Sequence, residues 1–279
     1  MNFRSIKKTK QYANNGEHFS VTTGSLKVFP SNHQEIGSRE RQEDAFAFSD
    51  LANKRLVLNR GLLAVVADGM GGLACGERAS QAAVNAFLRE YNNKNDCEPE
   101  GEFLQRAITV SNTAVYDLAY TGGEEIDLGT TLAAIMIHQN QLHWVSVGDS
   151  RIYLYRHGLM SQLSTDHIYA NHLAAQVACG HLSRKEAEEH PERNFLTSYL
   201  GLPALTEIDR CSDPVHLESG DAVMLCSDGL YNSLPVDEII SVLKYSPVNA
   251  AEVIGKKAIS KSIPYQDNIT LVILTCQAL

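Results

Sequence analysis

The stretch 62–72, LLAVVADGMGG, sets an acidic side chain at the end of an unbroken apolar run. Residues 62–67 are too few to cross a bilayer and have the composition of a buried strand. Glycine after Asp68 lets the backbone turn sharply and lets a main-chain carbonyl approach a ligand. Working outward, Asp44–Phe48 reads as another strand, opened by an aspartate. On the other side Ala79, Ala82, Ala83, Ala86 and Phe87 fall on one face of a helix. Leu104, Ala107, Ile108, Ser111, Val115 and Leu118 repeat that spacing in a second helix, with a polar loop at 92–100 between them.

Further strands are expected at 19–23, 26–29, 130–138, 141–147, 152–156, 222–226 and 269–274. Hairpin turns are expected at His138-Gln139-Asn140-Gln141 and Arg156-His157-Gly158. Two more helices are expected at 236–243 and 249–260. A small helical insert covers 168–190, with the capping-box sequence Ser183-Arg184-Lys185-Glu186 between Gly180 and Pro191. The elements do not alternate strand and helix, so a parallel sheet is excluded. The pattern is an α+β fold, antiparallel sheets covered by helices. Residues 1–25 read as a polar N-terminal extension and 26–279 as one domain.

With 279 residues, 44% of them hydrophobic, the chain can bury a sizeable core. A net charge of −9 argues against nucleic acid and against an anionic membrane surface as partner, and is compatible with binding cations. The six cysteines are widely and irregularly spaced and none forms a C-x-x-C pair, so neither a zinc cluster nor a disulfide framework is expected. A reduced cytoplasm fits that usage. Lys7, Lys8 and Lys10 are not followed by an apolar stretch, so no signal peptide is read.

Four aspartates open or adjoin strand-like runs: Asp44, Asp68, Asp228 in Ser227-Asp228-Gly229, and Asp267 in Asp267-Asn268-Ile269-Thr270. Taken singly, each Asp-Gly is an ordinary turn signal, Asp44 could pair with Arg39 or Arg41, and Asp267 could sit in a plain loop. Taken together, they form the oxygen-rich donor set a hard cation such as Mg²⁺ or Mn²⁺ requires, since an aspartate at a buried strand end is costly unless its charge is answered.

Further motifs follow in order along the chain: Arg39-x-x-Gln42-Glu43-Asp44, Ala67-Asp68-Gly69-Met70-Gly71-Gly72 with Gly76-Glu77-x-Ala79-Ser80, and Gly129-Thr130-Thr131. Then come Val147-Gly148-Asp149-Ser150-Arg151-x-Tyr153, Thr165-Asp166-His167, Ser227-Asp228-Gly229-Leu230 and Asp267-Asn268-x-Thr270. Together these motifs resemble the metal-dependent serine/threonine phosphatases of the PPM, or phosphatase 2C-like, family in its bacterial branch. The resemblance covers roughly 37–274. It implies a four-layer αββα arrangement, two stacked antiparallel sheets with helix pairs outside, and a flap subdomain at about 168–193. It implies two Mn²⁺ or Mg²⁺ ions in a cleft, with Asp68 bridging them and the Gly69 carbonyl on one. Asp228 and Asp267 would hold the other, Asp44 would support the site directly or through water, and Glu43 would stand behind it. Asp127, or Glu125 beside it, is the candidate for a third ion. Arg39 would grip the substrate phosphate, with Arg41 as rival.

The implied reaction is in-line attack of a bridging hydroxide on phosphoserine or phosphothreonine, without a phospho-enzyme. No cysteine sits in the Cys-x5-Arg loop of the other phosphatase class. Gln42 stands where the family commonly has Asn, and Met70 where eukaryotic relatives carry a His, which leaves leaving-group protonation to metal-bound water. His167 is read as structural, Gly148-Asp149-Ser150-Arg151 as a turn beneath the site, and Trp144 and Tyr153 as core. The implied partners are phosphorylated Ser/Thr proteins, a cognate kinase or its substrates, and a monomer is expected. A pseudophosphatase binding module and a small-molecule phosphoesterase with the same metal centre are the competing readings.

Overall fold

The structure, a computed structural model, describes residues 19–71, 75–120, 128–245, 247 and 249–279. Thirteen strands and eight helices are described, and every strand pairing among them is antiparallel. One sheet runs β1 (Val21–Thr23), β2 (Leu26–Glu35), β13 (Ile269–Ala278), β12 (Ala222–Cys226), β8 (Arg151–Arg156), β9 (Leu159–Gln162). The other runs β10 (Asp209–Arg210), β7 (Gln141–Val147), β6 (Leu132–His138), β4 (Leu62–Gly71), β3 (Asp44–Phe48). β11 (Val215–His216) lies on β7, and β5 (Leu128–Thr130) on the end of β4.

Strand periodicity explains the layers. In β4, Leu62, Ala64 and Val66 enter a core shared with Val223, Leu225, Val272 and Leu274 of the other sheet. Leu63, Val65 and Ala67 point the opposite way, against α2 (Cys75–Asn92) and α3 (Glu100–Ala119), where Phe87, Tyr91, Phe103 and Ile108 are fully buried. On the far face, Met224, Leu271 and Ile273 pack against α7 (Val236–Tyr245) and α8 (Ala250–Ile259). The central strands are buried on both faces, so they read as apolar runs rather than as alternating ones.

Two expectations need correction. The strand expected to end at residue 29 continues through Pro30 to Glu35. Beyond Val28, β2 has left β1 behind, so the missing amide of proline lies where one side of the strand has no neighbour. The single strand expected over 130–138 breaks at Thr131, whose backbone N–H turns to the Asp68 carbonyl at 2.9 Å. The strand expected at 19–23 forms as β1 and pairs with β2. Sequence reading also passed over α1 (Lys54–Arg60), which is capped by the Asn53 side chain, and over the one-turn α6 (Asp228–Tyr231).

Both hairpin turns form, with positive φ at Gln139, Asn140, His157 and Gly158. The insert folds as α4 (Tyr169–Ala178) and α5 (Arg184–Glu188), and both halves of the Ser183–Glu186 capping box are made. Among the described residues no helix is long and apolar enough to cross a membrane.

Candidate metal and phosphate site

The same strand periodicity aims the acidic side chains. Even-numbered residues of β3 and β4 face the inter-sheet core, so Asp44 and Asp68 project between the sheets at their ends. They stand directly opposite each other in the antiparallel register. From the other sheet, Asp228 opens α6 just after β12, and Asp267 lies two residues before the start of β13. A cleft of about 370 Å³ is lined by Arg39, Asp68, Gly69, Asp149, Asp228 and Asp267, together with Glu43, Thr131 and the flap-base residues Asn194 and Leu196. Asp44 lies just beneath, 6% exposed.

Backbone and hydroxyl contacts hold this cluster. Ser227 Oγ donates to Asp44 Oδ2 at 2.8 Å and accepts from the Thr270 N–H at 3.0 Å, pinning one sheet to the other. Asp68 N–H donates to Thr131 Oγ1 at 3.0 Å, while Thr130 Oγ1 donates to the Asp68 carbonyl at 2.8 Å. Asn268 clips the Arg39 loop. Its Nδ2 donates to the carbonyls of Ile36 and Arg41, and its Oδ1 accepts from Glu43 N–H at 2.7 Å. Glycine is required at 229, where a Cβ would stand 2.0 Å from the Asn268 carbonyl oxygen. Ser80 Oγ donates to the Glu43 carbonyl at 2.6 Å, which ties the start of α2 to the same loop.

The electrostatics are those of crowded carboxylates. Burial first, then the charges of Asp44, Asp228, Asp149 and Asp267, hold Asp68 well above the ordinary range. Asp44 is pushed up to about 6 by burial, against the pull of hydrogen bonds from Thr270 and Ser227. Asp228 is pushed up to about 7 by burial and by Asp149, Asp267 and Asp44. Arg39 donates to Asp267 Oδ2 at 2.6 Å. Burial opposes its charge, and Asp267, Glu43 and Asp228 more than offset that. Arg41, the rival, is exposed and contributes only its carbonyl to Asn268.

Among the described residues no three His, Cys, Asp or Glu side chains are drawn into a closed coordination shell, and Arg39 engages Asp267. The donor chemistry nevertheless fits a hard divalent cation. The side chains are all oxygen donors that raise one another's proton affinity, and buried Asp44 Oδ1 has no hydrogen-bond partner. Asp127 and Glu125, the candidates for a third ion, lie outside the described residues.

Asp149, which the sequence suggested only as part of a turn, brings its carboxylate into the cleft. It follows the apolar β7 beside Gly148, the signal that marked Asp68 and Asp228. His167 is buried and ties that turn down: its Nδ1 accepts from Gly148 N–H at 3.0 Å, and its own N–H donates to the Gly148 carbonyl at 2.9 Å. Burial lowers its proton affinity.

A family model described as protein phosphatase 2C matches residues 33–263. The serine/threonine phosphatase stp of Listeria innocua is 32% identical over 220 residues, 76% of this chain and 83% of that protein. The serine/threonine protein phosphatase PstP of Mycobacterium tuberculosis is 32% identical over 217 residues, 76% of this chain and 40% of that longer protein. The crystal structure of the M. tuberculosis phosphatase PstP/Ppp superposes with a TM-score of 0.72 at 27% identity, over 90% of this chain and 99% of that one. The catalytic domain of PstP, solved in complex with two manganese ions, superposes with a TM-score of 0.70 at 26% identity over the same shares.

Proposed function

Since this chain belongs to the protein phosphatase 2C family and is a serine/threonine protein phosphatase of that type, we propose that its acidic cleft hydrolyses phosphoserine and phosphothreonine with two divalent cations, Mn²⁺ or Mg²⁺. The observation that carries the reading is the convergence of Asp68, Gly69, Asp149, Asp228, Asp267 and Arg39 on one cleft from both sheets. Asp68, Asp228 and Asp267, with the Gly69 carbonyl, would hold the pair of ions. Asp44, opposite Asp68 in the strand pair, would support the site directly or through water, and Asp149 with Asp228 would offer a third position. When bound, such ions lower the pKa of water toward neutrality and offset the charge gathering on the phosphoryl oxygens.

The residues supply geometry. Thr130, Thr131 and Ser227 fix the orientation of Asp68 and Asp44, so little reorganisation is required when charge develops. Arg39 is about half exposed and has a guanidinium fork suited to two phosphate oxygens, so phosphate would exchange with Asp267 for its donors. Asn194 and Leu196 form the wall on the flap side. His167 is committed to Gly148, so no side-chain imidazole is assigned to protonate the leaving oxygen.

The same reading takes 26–279 as one phosphatase domain with its flap at 168–193. Its partners would be phosphorylated proteins, and its place a reducing cytoplasm, in keeping with six free cysteines. The test is phosphate release from a phosphothreonine peptide by the purified chain with Mn²⁺, compared with Asp68→Asn and with a metabolite phosphate. Rapid release that Asp68→Asn abolishes is expected. Peptide binding without release, or a preference for the metabolite, would replace the proposal with a binding module or a small-molecule phosphoesterase.

A further inference from the structure

We infer that Tyr231 is a positioning residue for Asp149, holding that carboxylate toward a cation position shared with Asp228. The inference rests on the reading of the cleft given above. Asp228 and Tyr231 are three residues apart in α6, so one helical turn presents both to the β7–β8 link. Tyr231 Oη donates to Asp149 Oδ2 at 3.1 Å and lies 3.2 Å from the Asp149 carbonyl oxygen. On the same turn, Asn232 Nδ2 donates to Asp228 Oδ2 at 3.2 Å. Each carboxylate therefore receives, on one oxygen, a neutral donor from α6 or its cap.

The phenol ring is clamped. The Arg151 guanidinium lies 3.5 Å from its centroid, a cation–π stack. Arg151 is itself fixed by a fork onto Asp166, with Nη2 to Oδ2 at 2.7 Å and Nε to both oxygens at 3.0 and 3.1 Å. Gln162 Nε2 donates to Asp166 Oδ1 at 2.8 Å, and Asn171 of α4 donates to the Asp166 carbonyl at 2.5 Å. The chain of contacts runs from the base of the flap, through Asp166, Arg151 and Tyr231, to Asp149. Asp149 and Asp228 repel each other, so an unheld Asp149 would swing away and the shared position would be lost. Second-layer donors of this kind are typically worth about 10- to 100-fold in metal affinity.

The experiment is calorimetric titration of Mn²⁺ into the metal-stripped full chain, with a melting curve for each variant. Asp149→Asn should delete the weakest class of sites. Tyr231→Phe keeps the ring on Arg151 and should weaken that class about tenfold, leaving the tight class and the melting midpoint at their parent values. Tyr231→His, which retains a ring donor, should restore part of the loss. A Tyr231→Phe titration identical to the parent's overturns the inference and leaves the cleft reading standing. So does an equal loss in both classes with a lowered midpoint, which marks a merely structural role. If Asp149→Asn changes no class, the position shared by Asp149 and Asp228 falls, and the inference with it, while the two-ion reading stands.

Discussion

Ser227→Ala tests whether the two sheets are pinned together at the cleft. The hydroxyl is fully buried, donates to Asp44 Oδ2 at 2.8 Å and accepts from the Thr270 N–H at 3.0 Å. Its loss removes one hydrogen bond to a carboxylate, worth about 1.5–3 kcal/mol, and strands a buried amide at about 1–3 kcal/mol. Asp44 Oδ1 has no hydrogen-bond partner, so no bond on that oxygen takes up the load. Allowing for relaxation, metal-free protein at pH 8 should lose roughly 3 kcal/mol, or about 6–12 °C in Tm for a chain of this size. At pH 5, below the Asp44 value of about 6, the lost bond is to a neutral carboxyl. The penalty should then fall to about 2 kcal/mol. Urea unfolding in chelator, at both pH values, with the m-value compared to the parent's, measures this. A penalty under about 1 kcal/mol at pH 8, or one that does not shrink at pH 5, refutes the reasoning.

Other outcomes follow from the same geometry. Asp44 and Asp228 sit at about 6 and 7 when folded, above the ordinary carboxylate value of about 3.9. The folded form thus holds their protons more tightly, so this stability is present below pH 4 and is lost as pH rises through 6–7. The Tm of chelated protein should fall from pH 5 to pH 8, and the gain on adding Mn²⁺ should grow over that range; a constant gain would contradict the shifts. Gly229→Ala forces a Cβ to within 2.0 Å of the Asn268 carbonyl, and should cost about 3 kcal/mol and weaken Mn²⁺ binding by calorimetry. Arg39→Ala should raise KM for a phosphopeptide while Mn²⁺ binds as tightly or more so, because Asp267 is freed; weaker Mn²⁺ binding would show Arg39 to be structural.

Much of this was legible where local chemistry and tertiary demand coincide. Asp44–Phe48, Gln141–Val147 and Ala222–Cys226 form strands at the expected bounds because each is a largely buried or alternating apolar run closed by turn residues. Asp44, Asp68, Asp228 and Asp267 were identifiable because a carboxylate beside a buried strand demands a reason. What escaped is set by distant partners. The break at Thr131 depends on the Asp68 carbonyl, sixty-three residues upstream by the same pairing that engages its hydroxyl. The extension of β2 depends on β13. Asp149 was taken for a turn because Gly-Asp-Ser satisfies local turn preferences fully, and only the approach of α6 shows its carboxylate to be in the cleft.

The ladder between β2 and β13 joins Leu26 to Ala278 and Glu35 to Ile269, so a strand near the start of the described chain stays unpartnered on that side until the last has emerged. Asp267 and Asn268 lie just ahead of that same final strand. A nascent polypeptide still inside the ribosome would therefore lack both the closing strand and part of the acidic cluster. Catalytic competence should arise only once β13 has joined β2 and carried Asp267 to the cleft.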